Sequence, residues 1–395
     1  MKILFICGSL EPGKDGVGDY TIKLSEKLTH FEYECSVIAL SDPYVSELNH
    51  DLYQLGPNKK IATLRIPKNQ YNSVHRGELQ KLIDLFNPDV ISLQFVPFAY
   101  NDKGIPLYLV SLLKSINTVA QWHVMFHEIW IGHASRSIFG KSYWIGSLQK
   151  RIIYKLQAVL NPVCHTHALY YKYLLNKEKI TTYHLPLYGN IKKTQRNRNL
   201  FYNIIKESPL SNWQSQNILQ NNIAVIFGSF PEFWDLSEIL NKWSTYLTNE
   251  NKTGLLFILG KHNYDSTNKI NRLRQKYPLI TFIRLGILQE KAVSQILLHA
   301  DFGINPTPLA IVEKSGAAAA MLDHGLSIIT TRVGIIQKNT EIDFLSIPNV
   351  YFEPNLRAED FGRLIRKSID PKIDDIAQIY INDLKTMITN ALSRK

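Results

Sequence analysis

Glu313-Lys314-Ser315-Gly316 sets an acid, a cation, a hydroxyl and a bare backbone N–H side by side. Ahead of them, residues 302–304 are short and apolar, as a buried parallel strand would be. Asn305-Pro306-Thr307-Pro308 then breaks regular structure. Behind them, residues 317–320 are all alanine and open a helix with almost no side-chain bulk on its first turns. The first N–H groups of a helix lack intrahelical partners and favour anions, and Lys314 adds positive charge. This pattern points to a phosphate-bearing ligand lying against backbone, a diphosphate-sugar cradle. The same residues also fit a capped helix that starts at Ser315, with the alanines packed on a sheet. The two readings are compatible.

A second group ends the stretch VAQWHVMFHEIWIG, residues 119–132. It reads as a strand that finishes in His127-Glu128, so both side chains fall at a strand's carboxyl end, where α/β proteins bind ligands. An imidazole there can donate to a sugar hydroxyl or to a developing carbonyl. His123 shares the strand face with His127 and reads as a satisfied core histidine; His133 lies beyond. A zinc site would need three or four such ligands with a fixed outer shell, and no metal is expected. His165 and His167 flank Thr166 after another strand and read as structural, with lining of the cleft as the alternative. A third group, EPGKDGVGDY, places Gly16 and Gly18 before a helix. Glycine lets backbone approach a ligand. The dinucleotide fingerprint would need a further glycine where Thr21 stands, so a plain strand-to-helix turn fits as well. Lys14, Asp15 and Asp19 are polar contacts available beside it.

The elements that must hold these groups alternate. Strands are expected at 2–7, 35–40, 61–66, 89–94, 119–126 and 158–161, with helices at 19–28, 78–86 and 107–115. After a stretch rich in Asn, Gln, Lys and Arg the alternation restarts. Strands are expected at 223–227, 255–259, 280–285, 302–304, 327–330 and 350–352, and helices include 236–247 and 290–299. Gly325 sits where a helix ends in a left-handed residue. Residues 374–392 form a last amphipathic helix, with Ile376, Ile379, Tyr380, Leu384, Ile388 and Leu392 as its apolar positions. Strands alternating with helices imply parallel sheets with crossover connections. The expected layout is an N-terminal domain at 1–190, a linker at 191–221, a second α/β domain at 222–370 and a trailing helix at 371–395. A cleft between two such halves is the default ligand site.

At 395 residues, two domains of ordinary size are expected. No apolar run reaches the ~20 residues needed to span a bilayer, and MKILFICGS reads as a strand rather than a secretory signal. The three cysteines, Cys7, Cys35 and Cys164, lack metal-type spacing and read as reduced thiols, which suits the cytoplasm. The net charge of +11 suits nucleic acid, an anionic membrane surface or phosphorylated substrates. The nearest basic run, residues 192–198 (KKTQRNR), reads as a solvated linker, so nucleic acid is not expected.

With these residues in view, the chain resembles the GT-B glycosyltransferases, specifically the large retaining group called family 4. The resemblance covers nearly the whole chain. It is carried by GVGDYTIKLSEKL near the start, MFHEIWIG in the middle, HADFGINPTPLAIVEKSGAAAAMLDHGLSIITT in the second half and the final helix. It implies two Rossmann-like domains facing each other across a cleft, with the last helix crossing back to the N-terminal domain. It also implies a nucleotide-diphosphate sugar as co-substrate, held mainly by the C-terminal domain, and a glycan or lipid-linked acceptor held mainly by the N-terminal one. Such enzymes need no metal or other cofactor. The implied activity is retaining hexosyl transfer in surface polysaccharide or glycoconjugate synthesis, in the cytoplasm or peripheral to the inner membrane face. Gly16 and Gly18 match the loop that approaches the donor phosphate, and His127 matches the histidine that contacts the transferred sugar.

The departures from that pattern are specific. The family's acid-x7-acid motif would place glutamates near 312 and 320, where this chain has Val312 and Ala320, with Glu313 one step away. The Arg and Lys expected after the first strand of the C-terminal domain are missing from Gly228-Ser-Phe-Pro-Glu-Phe-Trp. Lys261 and Lys314 are the cations placed to replace them. A nucleotide-sugar epimerase of the same fold and a non-catalytic binding subunit are the alternatives. Finally, Lys150 and Arg151 with Trp144, Ile145 and Leu148 make a basic-apolar patch that suits an anionic membrane, or a helix packed on its neighbours.

Overall fold

The structure, a computed structural model, describes residues 1–54, 60–68, 73–132, 140–207, 221–228, 230–231, 234–260, 264–331, 347–364, 366–367 and 373–392. The chain divides into two compact units, Met1–Pro186 with Ile373–Lys395, and Leu187–Lys372.

The first unit runs β1 (Lys2–Cys7), α1 (Gly16–His30), β2 (Glu34–Asp42), β3 (Asn49–Gln54), β4 (Lys60–Pro67), α2 (Ser73–Phe86), β5 (Val90–Phe95), α3 (Pro97–Tyr100), α4 (Leu107–Lys114), β6 (Gln121–Phe126), α5 (Lys141–Leu160), β7 (Val163–Thr166), α6 (Leu169–Lys177) and β8 (Thr182–His184). Its sheet has the order β3-β4-β2-β1-β5-β6-β7-β8. Only β3 is antiparallel, against β4. β5 is buried at every position and β1 at all but its first. That is why both read as unbroken apolar runs: a parallel sheet covered on both faces has no polar side. From β1 the chain steps outward one way through β2 and the other way through β5, so a switch point lies between them.

The second unit runs α7 (Arg198–Lys206), β9 (Asn222–Phe227), α8 (Ser237–Asn249), β10 (Gly254–Leu259), α9 (Tyr264–Lys276), β11 (Ile280–Gly286), α10 (Glu290–His299), β12 (Phe302–Asn305), α11 (Gly316–Asp323), β13 (Ser327–Thr330) and β14 (Val350–Phe352). A 3-10 segment, Leu309–Lys314, precedes α11. The all-parallel sheet has the order β11-β10-β9-β12-β13-β14, the doubly wound Rossmann order, with its switch point between β9 and β12. Trp234, Trp243, Phe257 and Phe302 are among its fully buried side chains. The chain closes with α12 (Ile373–Leu392), which belongs to the first unit. There Tyr380 stacks on Phe5 at 6.3 Å, and Asp374 pairs with Lys27 of α1. Among the described residues no helix is long and apolar enough to cross a membrane.

Five local readings change. Residues 158–161, expected as a strand, finish the helix α5 and its cap. Asn161 ends that helix in the left-handed conformation (φ +43) and Pro162 follows, so the strand begins at Val163. A short run of Ala, Val and Leu cannot by itself distinguish a strand from the last turn of a helix. Val119 is 99% exposed and precedes β6 rather than opening it. β3 had no sequence signal because all six of its residues are exposed and follow no period. Within 191–221, expected as a linker, lies α7; Asn197 caps it by accepting from the Leu200 N–H at 3.0 Å, and it buries Phe201, Ile204 and Ile205. On α12 the buried stripe is Ile376, Ala377, Tyr380, Ile381 and Leu384, while Ile379 points outward; the side chain of Leu392 lies outside the description.

Candidate functional site

In the first unit, polar groups gather at the carboxyl ends of β1, β5 and β6. Asp15 caps α1, accepting from the N–H of Val17 at 2.8 Å and of Gly18 at 3.2 Å. The amide of Gly18 is therefore already engaged by a carboxylate. A Cβ at Gly18 would lie 2.4 Å from the Ser9 carbonyl oxygen, so this glycine lets α1 pack on its own loop. Only Gly16 of the pair leaves open space at its Cα. Asp19 accepts from the Gly13 N–H at 3.1 Å.

The loop is tied down by residues the sequence did not flag. Asp42 accepts from the Leu10 N–H at 3.1 Å and from Arg65 Nε at 2.7 Å, and Arg65 Nη2 donates to Glu11 at 2.8 Å. Burial pushes the Asp42 carboxyl up, but Arg65 and two backbone amides outweigh it and hold the group below its usual range. Asp42 ends β2 and Arg65 lies on β4, while Glu11 is in the loop itself, so no short spacing links the three.

His127 is buried at 8% exposure, with Nε2 2.9 Å from Gln94 Oε1 on β5. Its ring meets Tyr20 of α1 edge-on at 5.0 Å and His167 at 4.9 Å. The His167 Nδ1–H donates to the Leu185 carbonyl at 2.8 Å, and burial pushes its pKa down to about 3, so the ring is neutral. Its Nε2 has no hydrogen-bond partner among the described residues. His123 is fully buried with both nitrogens engaged, by Ser92 Oγ at 2.7 Å and by His165 Nδ1 at 3.0 Å. Burial, helped by His165, holds its pKa well below the ordinary histidine value. His133 lies outside the described residues. Among those described, no group of three or more His, Cys, Asp or Glu side chains could hold a metal ion.

In the second unit, β9 and β10 both end in glycine with positive φ, Gly228 (+96°) and Gly260 (+118°). A Cβ at Gly260 would lie 2.4 Å from the Gly228 carbonyl oxygen, and one at Gly228 would lie 3.1 Å from Ala317 Cβ. The start of α11 thus sits against the turn after β9, at the switch point. Ser315 caps α11, its Oγ accepting from the Ala318 N–H at 3.2 Å, but its own N–H, expected with that of Gly316 to face a phosphate, donates to the Val312 carbonyl at 3.0 Å. No hydrogen bond among the described residues engages the amides of Gly316 and Ala317, and Gly316 has open space at its Cα. Residues 313–317, including Glu313 and Lys314, are half-buried, whereas Ala318, Ala319 and Ala320 are buried. The capped-helix reading of the alanine run therefore holds at residues 318–320, while the first turn is only half-buried. Gly325 follows with φ +82°, the left-handed end expected of it. Lys261 lies outside the described residues, as do Ser229, Glu232 and Phe233.

Position 320 is closed. Ala320 is fully buried, and a Cβ at Gly189 would lie 2.7 Å from its Cα. The Gly189 N–H donates to Asp323 one turn on, at 2.6 Å. The place where the resemblance puts a second acid is taken by backbone packing in this chain. After β12, Asn305 Oδ1 accepts from the Thr307 N–H at 2.8 Å, while its Nδ2 is buried without a partner among the described residues.

No protein-family model and no curated protein sequence matches the chain. Solved structures do. Anabaena HepE in complex with UDP has a TM-score of 0.54 at 13% identity, over 100% of each chain. The UDP-GlcNAc 2-epimerase of Methanocaldococcus jannaschii has 0.51 at 13%, over 98% of this chain and 100% of that one. The catalytic domain of starch synthase IV from Arabidopsis thaliana, bound to ADP and acarbose, has 0.52 at 14%, over 96% and 98%. At these identities the likeness shows the fold: α/β, with the two Rossmann-like parallel sheets of GT-B proteins, as the resemblance implied.

Proposed function

We propose that this chain is a glycosyltransferase that moves a hexosyl unit, with retention, from a nucleotide-diphosphate sugar to a glycan or lipid-linked acceptor in surface polysaccharide or glycoconjugate synthesis. The observation that carries this reading is the pair of amides at Gly316 and Ala317 that no hydrogen bond among the described residues engages, beside the Ser315 cap, at the switch point of a Rossmann sheet. Amides there hold a diphosphate without reorganising as negative charge grows on the leaving group. Lys314 and Lys261 supply positive charge, and Gly16 is the glycine left open to the donor phosphate. His127 and Glu313 contact the sugar. As the anomeric C–O bond to the diphosphate breaks, the acceptor oxygen bonds from the same face, and its proton passes to the departing phosphate oxygen. The protein contributes positioning and charge stabilisation. HepE with UDP and starch synthase IV with ADP support a nucleotide-sugar donor.

The test is transfer and donor hydrolysis with and without acceptors. Lys314→Ala is expected to weaken donor binding and slow transfer by about 1–3 kcal/mol. His127→Ala is expected to lose most transfer, about 10²–10³-fold, while remaining folded. Wild-type turnover in either folded variant rejects that residue's role. A second reading is favoured by the likeness to a UDP-GlcNAc 2-epimerase; conversion of the donor sugar with no acceptor present would establish it. Donor binding without turnover would indicate a binding subunit, the reading that the closed position 320 favours.

The acceptor side suits an anionic membrane surface. On α5, Trp144, Leu148 and Arg151 of the expected patch are exposed, Trp144 at 62%, in line with Lys141, Lys155 and Val159 at helical spacing, whereas Ile145 and Lys150 are half-buried and Lys150 pairs with Glu178. The helix has no acidic residue, which suits the charge of anionic lipids. Co-sedimentation with vesicles rich in anionic lipid, but not with neutral ones, is expected. Trp144→Ala with Arg151→Glu should abolish it.

A further inference from the structure

Five hydrogen bonds connect His127 to the last helix of the chain. His127 Nε2 lies 2.9 Å from Gln94 Oε1. Gln94 Nε2 donates to Ser92 Oγ at 2.8 Å. Ser92 Oγ is 2.7 Å from His123 Nδ1, and His123 Nε2 is 3.0 Å from His165 Nδ1. His165 Nε2 is 3.0 Å from Asp383 Oδ2 on α12. The topology makes this path. Ser92 and Gln94 point to one face of β5 because side chains alternate along a strand. β6 pairs Ser92 with His123, and β7 brings His165 opposite Met125. Every member except Asp383 is buried; the Asp383 side chain is 34% exposed.

The proton positions follow from the acidic end. An ionised carboxylate only accepts, so His165 donates from Nε2; an imidazole with a single N–H then accepts at Nδ1. His123 then donates from Nε2 and, being neutral, accepts at Nδ1. The Ser92 O–H must therefore donate to His123, and its oxygen accepts from the Gln94 amide. The Gln94 carbonyl is left to accept from the His127 Nε2–H. All five bonds point the same way, and none reverses unless the others do.

We propose that Asp383 is a positioning residue which, through His165, His123, Ser92 and Gln94, holds His127 in the Nε2–H tautomer. The functional meaning rests on the proposed role of His127 at the sugar. It adds to that role that the Nε2–H is given to Gln94 and so is not offered to a sugar hydroxyl. Asp383 is 256 residues from His127 in the chain and belongs to no motif.

The experiment is long-range ¹H–¹⁵N NMR of the full chain labelled at histidine, at neutral pH and without substrate. The wild type should show His127 with a protonated Nε2 and an unprotonated Nδ1. Asp383→Ala, and separately Ser92→Ala, should shift both ¹⁵N resonances of His127 toward a tautomer mixture. Asp374→Ala on the same helix should leave them in place. A wild-type His127 that carries its proton on Nδ1 overturns the proposal, whether or not the variants fold. So do folded Asp383→Ala and Ser92→Ala variants in which the His127 resonances do not move. Because no substrate is present, the result is independent of whether His127→Ala loses transfer, so the two ideas fail separately.

Discussion

The strand ends of the first unit are furnished with side chains, and those of the second with backbone. Around His127 stand Tyr20, His167, Gln94, Ser92 and His123, each placed by its neighbours. At the start of α11, Ala317 faces Gly228, which packs on Gly260, with Ser315 Oγ closing the helix start. Side-chain hydrogen bonds fix tautomers and orientation, which suits contact with a reacting sugar. Bare amides fix a potential, which suits a diphosphate. The difference means the two halves should fail in different ways.

The largest contrast should appear in acid. A histidine with a folded pKa below its ordinary value binds its proton in the unfolded chain first. Its contribution is intact above about pH 6.5 and is lost as pH falls toward the folded pKa. Burial lowers His184 in the first unit and His299 in the second, one on each side. Beyond these, His167 in the first unit is held at about 3 and His123 well below the ordinary value; in the second, His324 is held at about 4. Down to pH 5 each such ring withdraws on the order of 2 kcal/mol. The first unit should therefore loosen first. Amide exchange at pH 7 and pH 5, corrected for intrinsic rates, checks this through protection of β5 and β6 against β9 and β12. Equal loss in the two sheets would break the contrast.

A comparable blow to the first unit alone is Gly18→Ala, whose Cβ has no room against Ser9. It should destabilise that unit by about 3 kcal/mol, while Gly16→Ala, in open space, should fold normally. Urea melts of the two variants give the comparison; similar melts would mean the Gly18 contact is relieved by a small shift. The smallest effect expected is from Ser315→Ala. Loss of one N-cap should cost the second unit about 1 kcal/mol and leave exchange in the first unit unchanged.

Much of the fold was legible because parallel strands buried on both faces are continuous apolar runs, and β1, β5, β9 and β10 are such runs. β3 and α7 were not legible. β3 is an exposed edge with no burial pattern, and α7 sits in a polar stretch where only its three buried residues face the core. At the site, local signals were readable: Ser315 before small residues, and His127 at the end of a strand. What could not be read was anything assembled from distant strands. The Asp42–Arg65–Glu11 clamp and the path from Gln94 to Asp383 depend on strand register, which no short spacing encodes. Gly18 shows a different limit. A glycine ahead of a helix signals close approach, but not whether the approaching atom belongs to a ligand or to the protein's own Ser9.

The placement of α12 has a consequence for how the protein is made. The first sheet is complete by Pro186, yet the helix that covers its Phe5 and His123 leaves the ribosome only after the 186 residues of Leu187–Lys372. At about 5–20 residues per second that is a wait of roughly 10 to 40 s. Throughout it, an apolar face and a histidine still lacking its acid partner stand open on the nascent chain, and the relay is closed only when α12 emerges.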